Sequence, residues 1–467
     1  MNQPVTVAGQ MTVGSFHRSA VHEAYRAGTT VASVMTQCLA RIEAVADPGI
    51  FLHLASRETV MKAAEQLPPF DPVRFPLWGL PFVVKDNIDV AGVPTTAGCP
   101  AYAFTPPASA PVVTRLQDAG AILIGKTNLD QFATGLVGVR TPFPVPRNAF
   151  DPARVPGGSS SGSAVAMAQG LASFSLGTDT AGSGRIPAAF NNLVGLKPTL
   201  GAISTRGVVP ACRTLDCVSI FALNVADARA VFDVAAGFDA AEPYSREVMQ
   251  SSRPMQVVGI PRADELVFFE DEYAAYAWQL SVARLKDTGV TVREIGMGHF
   301  LATAQLLYAG PWVAERRAAV GSFMAAQPEA MHPVTRTILA SADRFSAVDT
   351  FNAFYRLAAF RRQSDVTFRE IDALAVPTAP IFPTLAELAA DPLGPNSRLG
   401  TYTNFVNLLD LAAIAVPGPF RADGLPAGVT LIAPAGTDHV LAGLAERFFD
   451  AVGGAAGARR QPAPPQG

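Results

Sequence analysis

The chain has 467 residues, of which 49% are hydrophobic and 16% are charged, and its formal net charge at pH 7 is −3. This is the composition of a globular protein, and the length allows one large domain or roughly two to three smaller ones. The charges form no sustained basic or acidic run, which argues against nucleic acid or a membrane surface as a partner. No apolar segment reaches the ~18 residues that a membrane-spanning helix requires.

The cysteines are Cys38, Cys99, Cys212 and Cys217. They form no CxxC pair, and no cluster of cysteine, histidine or acidic residues has metal-ligand spacing, so we expect neither a metal nor another cofactor. Cys212 and Cys217 are close in sequence, but we expect all four cysteines to be buried free thiols. Because free thiols are typical of a reducing compartment, the expected location is the cytoplasm.

The first part of the chain has the apolar spacing of helices. From residue 17 to residue 46 apolar side chains recur at helical intervals, and Thr29 or Thr30 is a suitable N-cap. A second helix is predicted over 57–67, where two prolines then end it. We therefore treat residues 1–70 as an N-terminal helical segment and expect it to form a dimer interface.

An almost wholly apolar run from Leu80 to Val84 follows, and such a run is typical of a strand that is buried on both faces. Lys85 ends this run. Downstream, helical and strand-like segments alternate, which indicates an α/β fold. Helices are predicted over 112–119, 227–236, 271–287, 302–325, 348–369 and 439–449, and strands over 121–125, 257–260, 291–295, 373–376 and 429–432. The segment 194–209 is rich in turn residues.

The stretch 155–185 contains two glycine–serine turns on either side of one apolar segment. The turns cover 157–162 and 178–184, and the residues between them predict a helix over 164–171 and a strand over 173–177. This order of turn, helix, strand and turn returns the chain to its starting point. We therefore expect the two turns to lie close together.

These turns favour a catalytic interpretation, and the serines that they would bring together are Ser159 and Ser183. Glycine allows the backbone to approach a ligand closely, and free amide groups can face developing negative charge. A flexible linker is the weaker interpretation, because linkers rarely enclose an apolar helix and strand. A phosphate-binding loop also fits less well, since neither Gly-Lys-Ser/Thr nor GxGxxG accompanies the turns.

A serine nucleophile requires a base, and Lys85 is the most interesting candidate for it. None of the six histidines lies near the two turns in sequence, which weakens a Ser-His-Asp interpretation. A lysine at the end of a buried strand loses hydration, so its pKa falls and its neutral amine can accept a proton from a hydroxyl. The alternative is a structural lysine that pairs with Asp86 or Asp89.

Four segments in this order resemble the amidase signature family: PFVVKDN at 81–87, PGGSSSG at 156–162, GTDTAGSGR at 177–185 and GLKPT at 195–199. The resemblance implies a mixed α/β fold, in which helices cover both faces of a large central β-sheet. It also implies amide hydrolysis by a Ser-Ser-Lys triad. In that triad Ser183 would be the nucleophile, Ser159 the bridging serine after a cis peptide bond, and Lys85 the base.

The same resemblance implies that the oxyanion hole consists of the backbone N–H groups of Thr180, Ala181, Gly182 and Ser183. The neighbouring Asp179 and Arg185 are expected to hold the turn through charge-assisted hydrogen bonds. The sequence departs from the commonest family pattern at Ser161, where glycine is usual, and over 180–184, where Gly-Gly-Ser-Ile is more usual. These departures leave the triad intact and bear on the substrate.

Two further segments, 207–218 and 308–317, resemble the allophanate hydrolase branch of the family. This resemblance implies that Tyr308 and Arg316 recognise the substrate, since arginine offers a rigid fork for a carboxylate. On one straight helix these residues would lie ~12 Å apart, but Gly310–Pro311 is expected to break the helix and let both face one pocket. A core tyrosine and a surface arginine remain the alternative.

The function implied is hydrolysis of the terminal amide of allophanate (urea-1-carboxylate), which releases ammonia and N-carboxycarbamate during urea or s-triazine nitrogen catabolism. The partner is then a small anionic amide, and we expect a homodimer that joins other catabolic enzymes in a larger complex. Residues 71–452 would form the amidase signature domain and 453–467 a linker-like tail. Related enzymes often carry a C-terminal domain, which we expect this chain to lack.

Three alternatives stay open. The first is a broad-specificity or biuret-related amidase. The second is an A-type amidotransferase subunit that acts on an aminoacyl-tRNA, although the near-neutral charge disfavours a nucleic-acid partner. The third is a non-catalytic scaffold, against which the presence of all three triad residues argues.

Overall fold

Eleven strands form one mixed sheet in the computed structural model of the chain, which describes residues 13–458 and 461–462. The strands are β1 (Phe51–Leu54), β2 (Pro81–Lys85), β3 (Ile122–Thr127), β4 (Phe174–Asp179), β5 (Val194–Lys197), β6 (Cys217–Ala222), β7 (Val257–Pro261), β8 (Thr291–Ile295), β9 (Ala373–Pro377), β10 (Leu411–Pro417), β11 (Gly428–Pro434), β12 (Ala455–Ala456) and β13 (Gln461–Pro462). The last two strands form a separate short hairpin.

The helices cover much of the remaining chain. They are α1 (Arg18–Arg26), α2 (Val31–Val45), α3 (Arg57–Glu65), α4 (Pro111–Asp118), α5 (Ser161–Ala168), α6 (Ile186–Phe190), α7 (Val225–Ala235), α8 (Glu272–Asp287), α9 (Gly298–Tyr308), α10 (Trp312–Ala326), α11 (Pro333–Ala340), α12 (Ala347–Thr367), α13 (Leu385–Ala390), α14 (Gly394–Leu399), α15 (Asn404–Leu408) and α16 (Asp438–Ala451). Among the helices of the described ranges, none combines the length and the hydrophobicity that a bilayer-spanning segment needs.

The sheet has the strand order β1-β3-β2-β4-β6-β5-β10-β11-β9-β7-β8. Strands β3, β2 and β4 run parallel to one another, as do β9, β7 and β8, while the strands between these groups pair antiparallel. Side chains of the central strands alternate between two cores: Ala373 and Ala375 of β9 face one, and Leu374 and Val376 face the other. Helices α7, α8 and α16 contribute to the first core, and α9, α12 and α15 to the second.

This architecture confirms the predicted α/β fold, with a large mixed sheet between two helical layers. Thr30 is the N-cap of α2, and its side chain accepts a hydrogen bond from Ser33 N. The predicted break at Gly310–Pro311 is confirmed, because α9 ends at Tyr308 and α10 begins at Trp312. The four cysteines are free and buried, as predicted.

The sequence patterns do not identify four strands of the eleven-stranded sheet, β1, β5, β6 and β10, nor the short strands β12 and β13. Strand β5 lies in the segment that was predicted to consist of turns, and it pairs with β6 and β10 in the middle of the sheet. Its short run of Val194 to Lys197 shows no periodicity of its own. Pairing on both sides supplies the hydrogen bonds and the burial that make it a strand.

Described parts of the segments 1–70 and 453–467 contact the rest of the protein. Strand β1, within the segment 1–70, pairs with β3 at the edge of the sheet. In the segment 453–467, Gly457 N donates to Asn192 O at 2.7 Å, and β12 pairs with β13. Residues 1–12, 459–460 and 463–467 lie outside the described residues.

The candidate site lies where two parallel neighbours of the sheet end. Strands β2 and β4 pair in register, with Val84 opposite Leu176, so their carboxyl ends reach the same edge. All residues of both strands are buried. Lys85 and Thr178 therefore come together without any proximity in sequence, which is the usual way in which parallel sheets assemble a site at their carboxyl edge.

A buried ion pair lies beside this edge, between Lys126 Nζ at the end of β3 and Asp86 Oδ1, at a distance of 3.0 Å. Neither side chain has appreciable exposure to solvent. Lys126 Nζ also donates to Pro94 O and Thr95 Oγ1. The charge of Lys126 is thus balanced inside the protein, and removal of Asp86 would leave it without a counter-ion.

We therefore expect Asp86→Ala to lower the free energy of unfolding by about 3–5 kcal/mol, because a buried charge loses its partner. Urea unfolding followed by tryptophan fluorescence measures this change. The control is Asp287→Ala, which removes an exposed ion pair to Arg284 and should cost less than ~1 kcal/mol. Equal losses in the two variants would contradict the importance assigned to the buried pair.

Candidate active site

Lys85 is the last residue of β2, and its side chain is fully buried. Its Nζ donates hydrogen bonds to Ser159 Oγ at 2.7 Å and to Thr178 Oγ1 at 2.8 Å. Asp86, one of the alternative partners that the sequence offered, pairs with Lys126 instead. The structure thus joins Lys85 to one of the two candidate serines.

The surroundings of Lys85 favour its neutral amine. Burial lowers the pKa of Lys85 from its ordinary value to about 7, although Asp130, Asp179 and Asp216 act in the opposite direction. An amine with such a pKa is partly neutral at physiological pH and can accept a proton from a hydroxyl. Lys85 therefore has the protonation state that a general base requires.

Ser159 lies in the turn before α5, and the Gly158–Ser159 peptide bond is cis, as the family resemblance implied. Main-chain hydrogen bonds hold this turn: Asp130 N donates to Ser159 O at 3.0 Å, and Gly158 N donates to Leu136 O at 2.9 Å. A Cβ on Gly158 would lie 2.1 Å from Asp130 Oδ2, so only glycine fits here. These contacts fix the backbone that presents the Ser159 hydroxyl to Lys85.

Ser183 lies in the turn between β4 and α6, where Gly182 has a φ of +122°. A Cβ on Gly182 would lie 2.5 Å from Thr403 Oγ1, so glycine is required by both conformation and space. Ser183 Oγ donates to Gly135 O at 3.4 Å. Among residues 13–458, no hydrogen bond joins Ser183 to Ser159. The next residue, Leu136, accepts a hydrogen bond through its main-chain O from Gly158 N in the turn of Ser159. One segment therefore contacts both turns.

An ion pair anchors the Ser183 turn. Arg185 Nε and Nη2 donate to the two oxygens of Asp179 at 2.9 and 3.0 Å, and both side chains are fully buried. Although burial favours the neutral acid, Arg185 holds the pKa of Asp179 below its usual range. Arg185 Nη2 also donates to Thr403 O and Asn407 Oδ1. The predicted structural role of Asp179 and Arg185 is confirmed by these contacts.

The same carboxylate engages part of the predicted oxyanion hole. Gly182 N donates to Asp179 Oδ1 at 2.8 Å. In the part of the chain that the structure describes, the N–H groups of Thr180, Ala181 and Ser183 donate to no protein acceptor. The geometry thus leaves three of the four predicted amides available for an oxyanion, and the fourth orients the turn.

Asp216 supports this turn from the other side. Its carboxylate accepts hydrogen bonds from Thr180 Oγ1 at 2.5 Å and from the main-chain N–H groups of Ala211 and Cys212. Burial raises the pKa of Asp216 despite these hydrogen bonds. Asp216 therefore connects the turn of the candidate nucleophile to the loop that precedes β6.

Tyr308 and Arg316 come together across the break between α9 and α10. Arg316 Cζ lies 5.1 Å from the centre of the Tyr308 ring, and the Arg316 side chain is buried. Its Nη1 makes long hydrogen bonds of 3.4 Å to Ala133 O and Thr134 Oγ1, while its buried Nε has no partner within residues 13–458. A buried guanidinium with an unused donor is suited to an anion. The alternative interpretation of Arg316 as a surface arginine is wrong, because its side chain is buried.

Sequence reasoning assigned no role to Asp130, Thr178, Asp216 or Thr403, all of which contact the site. Thr178 and Asp216 lie within segments that carry the family resemblance, and this was the available signal for them. Thr403 is distant in sequence and carries no recognisable motif. Ser161, the unusual residue of the first turn, donates to Asn128 O at 3.5 Å and packs within the protein.

Comparisons with known proteins identify the family of this chain. The protein-family model described as Amidase matches residues 33–442. Urea amidolyase of Lachancea kluyveri is 48% identical over 385 residues, which are 80% of this chain and 21% of that protein. The A-type subunit of glutamyl-tRNA(Gln) amidotransferase from Thermus thermophilus is 35% identical over 442 residues, covering 87% of this chain and 90% of that protein. The structure of Kluyveromyces lactis allophanate hydrolase has a TM-score of 0.88 and 42% identity, covering 95% of this chain and 74% of that one.

The fold and the site therefore define a hydrolase that acts on amides. The chain belongs to the Amidase family, whose model spans most of its length. It corresponds to only about a fifth, 21%, of the length of the urea amidolyase that it matches.

The lowered pKa of Lys85 predicts a pH-dependent stability. Above about pH 7 the folded protein holds a neutral Lys85, whereas the unfolded chain keeps its lysine protonated up to ~10.4. Raising the pH within this window therefore favours the folded state. Relative to Lys85→Met, the free energy of unfolding of the unsubstituted protein should rise by about 1 kcal/mol per pH unit from about pH 7.5 to 9.5.

Urea unfolding of both proteins at several pH values measures this difference. Lys62→Met is the control, because Lys62 lies on the outer helix α3 and its replacement should leave the slope unchanged. If the free energy of unfolding changes with pH by the same amount in Lys85→Met and in the unsubstituted protein, Lys85 remains protonated in the folded state.

Proposed function

We propose that this chain hydrolyses the terminal amide of allophanate to release ammonia and N-carboxycarbamate. Ser183 is the nucleophile, Ser159 the bridging serine and Lys85 the base. The buried contact between Arg316 and Tyr308 is the observation that carries the substrate assignment, because it offers an unused cationic donor to a small carboxylate. The similarity to Kluyveromyces lactis allophanate hydrolase supports the same substrate.

In the proposed first step, the Ser183 hydroxyl turns from Gly135 O to Ser159 and attacks the amide carbonyl carbon. Its proton passes to Ser159 Oγ while Ser159 gives its own proton to Lys85 Nζ, along the 2.7 Å contact that already joins those two atoms. The carbonyl oxygen becomes an oxyanion, which the free N–H groups of Thr180, Ala181 and Ser183 stabilise. Removal of one such donor typically costs ~10²–10³ in turnover.

The tetrahedral intermediate then collapses. The C–N bond breaks, and the proton held by Lys85 returns through Ser159 to the nitrogen, so that ammonia leaves as a neutral molecule. The product of this half-reaction is an ester between Ser183 and the remaining N-carboxycarbamoyl group. Water attacks that ester by the same relay, which restores the Ser183 hydroxyl and releases the acid.

Substrate recognition follows from charge and shape. The Arg316 guanidinium is planar and permanently charged, so it can hold the carboxylate of allophanate with two parallel hydrogen bonds. The Tyr308 ring packs against the guanidinium and restricts its orientation. With the carboxylate held there, the amide at the other end of the small molecule would reach Ser183.

The first test is ammonia release from freshly prepared allophanate, compared with biuret, urea, malonamate, glutamine and a simple aliphatic amide. We expect release from allophanate to exceed that from the others, and Ser183→Ala to lower it by at least ~10⁴-fold because the nucleophile is lost. The control variant is Ser173→Ala, at the residue directly before β4, whose buried hydroxyl has no partner within residues 13–458. It should retain nearly full activity.

Two outcomes would contradict the proposal in different ways. Ser183-dependent release from another amide in preference to allophanate would keep the mechanism and overturn the substrate. Release from allophanate that survives Ser183→Ala would overturn the assignment of the nucleophile.

A second prediction isolates Arg316. Arg316→Ala should lower kcat/KM for allophanate roughly 10- to 100-fold, because a charge-assisted hydrogen bond is worth about 1.5–3 kcal/mol. The simple aliphatic amide has no carboxylate, so its kcat/KM should change less than about threefold by the same reasoning. Arg317→Ala is the matched control, since this neighbour is exposed and pairs with Asp343. Equal losses on the anionic and neutral amides would exclude carboxylate binding by Arg316.

A second candidate function is that of an amidotransferase A-type subunit. It is favoured by the 35% identity to the Thermus thermophilus protein, which this chain matches over 90% of that protein's length. Glutamine in the substrate panel separates the two candidates. Ser183-dependent release of ammonia from glutamine, with none from allophanate, would favour this function.

We also propose a cytoplasmic homodimer that acts in urea or s-triazine nitrogen catabolism alongside other catabolic enzymes. The four buried free thiols support the reducing location. The position of β1 at the sheet edge, with Leu54 exposed, supports an interface formed by residues 1–70.

A further inference from the structure

A cavity of about 310 Å³ lies between α9 and the segment from α14 to α15. We name it the Tyr308 cavity, and the residues of its wall that matter here are Gln305, Tyr308, Arg344, Ser397 and Asn404. Its volume is at the lower end of the range for small-molecule sites. The wall includes exposed residues, Arg344 and Ser397, and buried ones, so the cavity extends from the surface into the protein.

Two contacts connect this cavity to the candidate active site. Tyr308, which lines the cavity, also contacts Arg316 at 5.1 Å. Thr403 directly precedes Asn404 in the cavity wall and packs on Gly182, where an added Cβ would lie 2.5 Å from Thr403 Oγ1. Asn404 in the cavity wall is therefore the sequence neighbour of a residue that contacts the turn of Ser183.

The polar groups of the wall suit one kind of ligand. Asn404 is buried, and its Oδ1 accepts no hydrogen bond from any described residue, at a cost of ~1–3 kcal/mol for an acceptor that is left unsatisfied. A ligand N–H would satisfy it. Arg344 adds a positive charge at the exposed part of the wall, where its Nε donates to Ser341 O.

We propose that the Tyr308 cavity is the entrance through which a small anionic amide reaches Ser183, an inference that rests on the proposed function. Arg344 attracts the carboxylate of the incoming molecule, and Asn404 Oδ1 accepts a hydrogen bond from its central N–H, between the amide and the carboxylate. Tyr308 then separates this outer position from the inner one beside Arg316. An acceptor and a cation in one small cavity complement a molecule that carries both N–H groups and a carboxylate.

The charge at the entrance is tested with Arg344→Gln. We expect kcat/KM for allophanate to fall about 5- to 10-fold at low ionic strength, with kcat unchanged, because steering by charge acts on association. The loss should shrink to less than twofold at about 0.5 M salt, where exposed charges are screened. The control is Arg356→Gln, an exposed arginine on α12 outside the cavity wall, which should have no effect. An equal loss in the control, or on a neutral amide, would overturn the role of Arg344.

The route itself is tested with Ser397→Trp, which places a large side chain at the exposed part of the wall. We expect kcat/KM to fall at least tenfold for every amide that the unsubstituted protein hydrolyses, the simple aliphatic amide included. Ser252→Trp, also at an exposed serine but outside the wall, should leave kcat/KM within twofold. Unchanged kinetics in Ser397→Trp would overturn the entrance, whatever the substrate.

The role of Asn404 is tested by comparing allophanate with malonamate, in which a methylene replaces the central N–H. Asn404→Leu keeps the approximate size of the side chain and removes the acceptor. We expect a larger loss of kcat/KM for allophanate than for malonamate, and circular dichroism confirms that the variant is folded. Equal losses on the two substrates would overturn the hydrogen bond. These comparisons require activity on allophanate, whereas Ser397→Trp does not, so failure of the proposed function and failure of the entrance are distinguishable.

Discussion

The burial of a single amine, Lys85 Nζ, is the constraint on which the site depends. A charged lysine inside a sheet is costly, and three buried carboxylates in the vicinity only partly offset that cost. The balance leaves a pKa of about 7, with Ser159 Oγ and Thr178 Oγ1 as hydrogen-bond partners. Full exposure would keep the amine protonated, whereas direct pairing with a carboxylate would hold its proton more strongly. At the end of a fully buried strand, and without direct pairing to a carboxylate, the Lys85 amine is therefore partly neutral near pH 7.

The remaining buried charges keep this position intact. Lys126 neutralises Asp86, the residue next to Lys85, so that Asp86 does not pair with the Lys85 amine. Arg185 neutralises Asp179, whose oxygens orient the Ser183 turn through its amides. Each ion pair thus compensates a buried charge close to Lys85. The paired charges and the lowered pKa of Lys85 consequently lie together at the carboxyl edge of β2 and β4.

Sequence patterns succeeded where the information is local and failed where it is not. The buried run before Lys85, the cap at Thr30 and the helix break at Gly310–Pro311 all follow from a few adjacent residues, and the structure has each of them. Strand β5 was not found because its identity as a strand depends on two distant partners. The same reason explains why Thr403 was not found, since its contact with Gly182 joins segments that no motif connects.

By itself, the sequence determined the alternation of helices and strands, the family and the candidate site residues. Motifs and periodicity depend only on residues that are close together in the chain. The candidate residues are Lys85, Ser159, Ser183, Tyr308 and Arg316. Only the tertiary structure decided how these residues act on one another. Parallel pairing of β2 with β4 brings Lys85 to Thr178, and the break after α9 stacks Arg316 on Tyr308. The burial that lowers the pKa of Lys85 likewise exists only when the sheet and both helical layers are assembled, since loss of hydration is a property of the packed protein rather than of a segment.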